Sequence, residues 1–214
     1  TCKFMLTEEA HHLFVGESGI SRMIQRTCEV MAQHKTDDPA KLRAMGVVDL
    51  PTLQKYLNFH YSVTSDLYGA EISSNAASFY TNGLKGRYEE TKLGDDHRLD
   101  SAEYPVMEVT GDKIITRHVP ALTALNERLR DDWVKDVQGG IDRWNKVPEK
   151  LGIPFRFALP HKGFHRKIGI FGELHLSPEG RVISEAEWTH KHRDWLPTEE
   201  DRAFVQSLMG RVAE

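Results

Sequence analysis

The tract Leu6-Thr7-Glu8-Glu9-Ala10-His11-His12 holds two overlapping Glu-x-x-His patterns, Glu8/His11 and Glu9/His12. Positions three apart share a helix face, so either pair can direct a carboxylate and an imidazole to one point. That combination is half of the ligand set of a di-iron carboxylate site built from bundle helices. A mixed oxygen and nitrogen set with no thiolate beside it suits iron better than zinc. The bland alternative is an acidic helix start with two incidental histidines. Following Glu9 and His12 forward gives Gly16, Gly19, Met23, Thr27 and Val30, with Met5 behind them. This stripe of small and apolar residues is expected to face a core. The other register runs through Val15, Ser18, Arg22 and Glu29 and reads as solvent-facing. Glu9 and His12 are therefore the expected ligand pair.

A bundle site needs ligands from other helices. Asp66 stands among Phe59, Val63, Ala70 and Ser73 on one face, and a carboxylate there must be paired, protonated or metal-bound. Glu71 competes with it, and an ordinary salt bridge explains either one equally well. Asp95, Asp96 and His97 form a compact acid–imidazole cluster, but Gly94 stands where a second Glu-x-x-His would need its Glu. Glu127, Asp131 and Asp132 read as a solvated face held in reserve. Farther on, His161, Lys162, His165, Arg166 and Lys167 gather around Gly163. Such a loop can hold phosphates by charge-assisted hydrogen bonds, or be a plain basic surface. His190, His192, Trp188 and Trp195 are expected to pack rather than to bind metal.

The elements that must position these groups are predominantly helical. A long first helix is predicted from about Phe4 to Gln33, and a short one at Ala40–Ala44. Asp49-Leu50-Pro51 reads as a helix start, and the stretch beyond it is expected to stay helical past Ala77 towards Leu84. Tyr104–Val109 and Lys113–His118 are predicted to pair as a hairpin through Thr110-Gly111-Asp112. Helix returns from Pro120 to Trp144. Phe155–Leu159, Lys167–Leu176 and Arg181–Ile183 read as strands, with a turn at Ser177-Pro178-Glu179-Gly180. Thr198 caps a last helix carrying Phe204, Leu208 and Val212. The expected architecture is residues 1–148 as a mainly α bundle, with the hairpin at about 104–118 inserted. Residues 149–214 would then form a small α+β lobe.

A length of 214 residues suffices for a buried core, and a formal charge of -4 gives no basic footprint for nucleic acid. No stretch is long and apolar enough to span a membrane, and no signal peptide is recognised at the start. Cys2 and Cys28 make no disulfide or metal framework, which suits a reducing cytoplasm.

Four stretches carry a more specific signal. Phe4-Met5-Leu6-Thr7-Glu8-Glu9-Ala10-His11-His12-Leu13-Phe14-Val15-Gly16-Glu17 is the first, and Asn58-Phe59-His60-Tyr61-Ser62-Val63-Thr64-Ser65-Asp66-Leu67-Tyr68-Gly69-Ala70-Glu71 the second. Leu125-Asn126-Glu127-Arg128-Leu129-Arg130-Asp131-Asp132-Trp133 and Leu159-Pro160-His161-Lys162-Gly163-Phe164-His165-Arg166-Lys167 complete the set. With them, essentially the whole chain resembles the oxygenase components of benzoyl-CoA 2,3-epoxidases, a family of ferritin-like class I di-iron enzymes.

The resemblance implies a ferritin-like bundle with two iron ions that activates O2 and places one oxygen atom across the 2,3 bond of benzoyl-CoA. The product would be 2,3-epoxybenzoyl-CoA, in aerobic benzoate degradation in the cytoplasm. Electrons would come from NADPH through a separate reductase carrying FAD and an iron–sulfur centre. By that likeness Glu9 would bridge or cap the irons, His12 would bind one, and His97 would bind the other. Asp66 and Asp96 would balance their charge, and Lys162, His165, Arg166 and Lys167 are the candidates for the CoA phosphates. The family's first ligand helix has no counterpart in this sequence, so the chain is expected to be a fragment, inactive alone. Another aryl-CoA such as phenylacetyl-CoA would suit the same chemistry. A ferritin-like iron-binding protein without oxygenase activity is the rival of a different class.

Overall fold

The computed structural model describes residues 2–82, 102–111 and 113–210. In chain order the elements are α1 (Cys2–His34), α2 (Pro39–Ala44), α3 (Leu50–Asp66), α4 (Ser74–Thr81), β1 (Glu103–Thr110) and β2 (Lys113–Pro120). They continue with α5 (Leu125–Lys150), β3 (His175–Leu176), β4 (Val182–Ile183), α6 (Glu185–Trp195) and α7 (Glu199–Leu208). The content is mainly α, in keeping with a ferritin-like class, with one hairpin and a two-residue ladder. The chain divides into two compact units. One comprises Thr1–Leu57, Gln138–Leu159 and Arg193–Glu214; the other comprises Asn58–Val137 and Pro160–His192. Residues 149–214 thus contribute to both.

In the first unit, helix starts follow from local chemistry. Asp38 caps α2 by accepting the Ala40 amide at 3.0 Å, with Pro39 in the first turn, where its missing N–H costs nothing. Asp49 Oδ1 accepts the Thr52 amide at 2.9 Å at the start of α3. Thr198 and Asp201 form a reciprocal capping box on α7. Burial raises the Asp201 carboxyl, but bonds from Thr198, Arg43 and Lys55 outweigh it and hold the group well below the usual carboxylate range. Arg43 also bonds Asp49 at 2.9 Å and lies over the Phe204 ring, fastening α7 to α2 and the start of α3.

The apolar core of this unit centres on Ile24, Cys28 and Val30 of α1 with Leu42, Val47 and Leu50. Burial pushes the Cys28 thiol up to about 11, so it serves as a packing group. The expected core stripe on α1 is met only at Thr27 and Val30, because Gly16, Gly19 and Met23 are exposed. The covered face instead follows Ser21, Ile24, Thr27, Cys28 and Met31.

The second unit corrects two sequence expectations. The helix predicted to run past Ala77 stops at Asp66, and α4 starts anew at Ser73, which caps Ala76 at 3.2 Å. Gly69, at φ +83°, lets the chain turn between them. The strand predicted at Lys167–Leu176 shrinks to His175–Leu176, paired antiparallel with Val182–Ile183. Upstream, the amides of Lys167 and Ile170 donate to the carboxylates of Asp66 and Glu71 rather than to a neighbouring strand. A helix, α6, which the sequence reading does not assign, carries Trp188 and His192, and their rings pack as expected. The hairpin forms as predicted, from Glu103 opposite Pro120 to Thr110 opposite Lys113. Its inner residues Val106 and Val119 pack with Ala124 and Tyr104.

The predicted strand at Phe155–Leu159, in the first unit, is also absent, for a comparable reason. Asn145 both accepts from the Phe157 amide at 2.7 Å and donates to its carbonyl at 2.9 Å. Gln54 grips Ala158 in the same two-handed way, at 2.8 and 3.0 Å. Side-chain amides satisfy the extended backbone that a partner strand would otherwise satisfy.

Candidate functional site

On α1, Glu9 Oε2 lies 3.9 Å from His12 Nδ1, with the side chains 69% and 65% exposed. The helix spacing therefore brings carboxylate and imidazole together as the sequence predicts. Residues 4–16 are exposed throughout, including the large apolar groups Phe4, Leu13 and Phe14. The register is readable from the buried part of the same helix. At about 100° per residue, Glu9 and His12 lie about 60° and 120° from the line of Ile24, while Glu8 and His11 lie about 160° and 140° away. The Glu9/His12 pair is thus nearer to the covered face. Its donor chemistry is the mixed carboxylate and imidazole set that suits iron, and among the described residues neither group has an ion-pair partner other than the other. Among the described residues, no cluster of three or more acidic, histidine or cysteine side chains is arranged to hold a metal ion. Asp95, Asp96 and His97 lie outside the described residues.

Asp66 has a different environment, in the second unit. Its Oδ1 accepts from the Arg166 Nε, and Oδ2 accepts from the Lys167 amide at 2.9 Å. Both oxygens are engaged by donors, which is the paired state that the sequence left open beside metal binding. Beside it, Glu71 is fully buried. Its Oε1 lies 3.2 Å from Arg166 Nη1 and 3.5 Å from Arg130 Nη1, and Oε2 accepts the Ile170 amide at 2.9 Å. Arg130, also fully buried, binds Glu127 and donates to the carbonyls of Ser65 and Gly69. Arg166 donates to the Gly69 and Ile168 carbonyls at 3.3 and 3.0 Å. Arg130 thus reaches Ser65 in the last turn of α3, where a cation is favoured by the helix dipole, and both guanidiniums share the Gly69 carbonyl in the turn beyond it.

Lys162 completes the network by donating to Glu127 at 2.6 Å and to Asp131. Burial works against its charged form, but the two carboxylates outweigh that effect and push the ammonium up. Tyr104 donates to Asp131 at 2.8 Å; burial and that carboxylate both push its phenol up. Three cations and four carboxylates thus interlock, as burial of charge demands.

The imidazole of His165 lies 3.3 Å from Ser62 Oγ and stacks on Trp188 at 5.7 Å. Burial, reinforced by Lys167, lowers it to about 4, so it is neutral at physiological pH. Trp188 also stacks with His175 at 4.8 Å, and His175 Nε2 lies 2.5 Å from Glu185. Of the four residues expected to meet CoA phosphates, Lys162 and Arg166 have their charge compensated internally and His165 carries none. Lys167 alone of these is an exposed cation. The roles of Glu127 and Arg130 were missed in the sequence, although their spacing of three on one helix is the available signal.

No protein-family model matches the chain. It is 77% identical over all 214 residues to benzoyl-CoA oxygenase component B of Aromatoleum evansii. The chain spans 45% of the length of that relative.

Proposed function

We propose that this chain is part of the oxygenase component of a benzoyl-CoA epoxidase. The carrying observation is the 77% identity to benzoyl-CoA oxygenase component B along the whole chain, within which Glu9 and His12 stand paired and open. In this reading Glu9 and His12 supply one carboxylate and one imidazole to a pair of iron ions whose other ligands come from elsewhere in a longer protein. Bound iron would supply the O2-activating chemistry needed to break the aromaticity of the ring. The substrates would be benzoyl-CoA and O2, with electrons delivered from NADPH by a separate reductase of the flavin and iron–sulfur type. The chain's own contribution divides in two. The front of α1 presents the metal-binding pair, while the buried salt-bridge network holds the segment around Lys162 to Ile170 in a fixed conformation.

The test is made on the longer protein with reductase, NADPH and benzoyl-CoA under ¹⁸O2. The expected product carries a single labelled oxygen, and Glu9→Ala or His12→Ala abolishes both iron retention and coupled oxygen uptake. Iron bound without NADPH-dependent oxygen consumption would instead favour a storage or structural role. Comparing benzoyl-CoA with phenylacetyl-CoA in the same assay decides the acyl group. The 214-residue chain by itself is expected to bind iron weakly, since two donors do not complete a site.

A further inference from the structure

The first unit contains an open cleft of about 480 Å³ that the ligand pair on α1 does not use. Met23 of α1, Val47 of the loop before α3, and Val205 and Leu208 of α7 make its apolar lining. Arg22 and Arg26 also line it, one turn apart on α1, and both are exposed. Neither forms an ion pair with a described carboxylate, and no acidic side chain among the described residues lines the cleft. This contrasts with Lys162 and Arg166, whose charges are matched by carboxylates at hydrogen-bond distance.

A cleft of this volume accommodates a small organic molecule, and its chemistry specifies the kind. The apolar lining favours a ring or an alkyl chain. Two guanidiniums that pair with no described carboxylate favour a phosphate, which can accept two parallel hydrogen bonds from each. We propose that this cleft binds a phosphate ester carrying an apolar group, with Arg22 and Arg26 on the phosphate and Met23, Val205 and Leu208 against the apolar part. Such a ligand could be an acyl-CoA thioester or a simple alkyl phosphate. Choosing the thioester rests on the function proposed above; the cleft's preference for the shared chemistry does not.

The experiment is isothermal titration of the longer protein, without added iron, with benzoyl-CoA and, separately, with octyl phosphate below its micellar concentration. Saturable binding is expected for at least one, weakening as salt rises. Arg22→Gln with Arg26→Gln should raise Kd by about tenfold or more, through loss of charge-assisted bonds. Val205→Trp should also weaken binding by filling the apolar half while leaving both charges in place. Lys135→Ala, at an exposed lysine of α5 that does not line the cleft, should leave Kd unchanged. Circular dichroism and thermal melting of each variant verify folding, which the exposed arginines are not expected to affect.

Octyl phosphate bound through the arginines, with benzoyl-CoA not bound, upholds the cleft and counts against the aryl-CoA reading. Benzoyl-CoA bound with the same Kd in the double arginine variant overturns the cleft and leaves that reading standing. Failure of both ligands to bind also overturns the cleft.

Discussion

Two ionisable stretches stand out in the sequence, Glu8–His12 and His161–Lys167, and folding treats them in opposite ways. Glu9 and His12 stay exposed, 3.9 Å apart, on a helix whose first half carries Phe4, Leu13 and Phe14 uncovered. In the other stretch, Arg166 and Lys162 are drawn into a lattice with Asp66, Glu71, Glu127 and Asp131. The contrast teaches that charge density along the chain says little about availability. What decides is whether carboxylates from other elements reach the cations first. A guanidinium already matched to carboxylates has little left for a ligand, whereas an open carboxylate–imidazole pair retains its donors.

The contrast can be broken most forcefully at Arg130. Replacing it with Met leaves Glu71 and Glu127 buried beside one cation fewer, which should cost about 3–5 kcal/mol in urea denaturation. A loss under 1 kcal/mol would mean that the lattice is not a folding device.

Gly169 offers the next largest effect. It sits at φ +81°, and an added Cβ would fall 2.0 Å from Glu71 Oε2. Gly169→Ala should therefore destabilise by about 2 kcal/mol, combining left-handed strain with a clash against a buried carboxylate. An unaffected melting temperature would show that the segment is not held against Glu71.

The third prediction concerns pH. His165 is lowered from its ordinary 6.5 to about 4 in the folded chain, chiefly by burial. Between those values the unfolded chain takes up a proton that the folded chain refuses, so stability should fall as pH drops from 6.5 towards 4. Allowing for solvent screening, the loss is on the order of 1–2 kcal/mol. His165→Leu should flatten that window in denaturation curves collected at successive pH values.

The smallest effect is expected on the other side of the comparison. Glu9→Gln and His12→Gln should each change the stability of this chain by less than about 0.5 kcal/mol, because the side chains are exposed and weakly paired. A large loss would show that the pair does structural work, against the ligand reading.

Helix content was legible because periodicity and caps act locally. The start of α3 at Asp49-Leu50-Pro51 and the Thr198 cap formed as expected, and so did the hairpin of Tyr104–Val109 with Lys113–His118. The strands at Phe155–Leu159 and Lys167–Leu176 failed for a non-local reason. Their backbone groups are satisfied by Gln54, Asn145, Asp66 and Glu71, from distant parts of the chain. Similarly, α1 burial could be read at Thr27 and Val30 but not at Gly16 or Met23. Periodicity identifies a face, yet only packing decides how far along the helix that face is covered.

What the sequence by itself determined is the pairing of Glu9 with His12. A separation of three residues on a helix fixes their proximity whatever else folds around them. Only the tertiary structure decided which basic residues remain available. Lys162 and Arg166 are neutralised by carboxylates far away in sequence, while Arg22 and Arg26 meet none among the described residues. The physical reason is that charge compensation acts over a few ångströms of space, a distance that sequence separation does not encode.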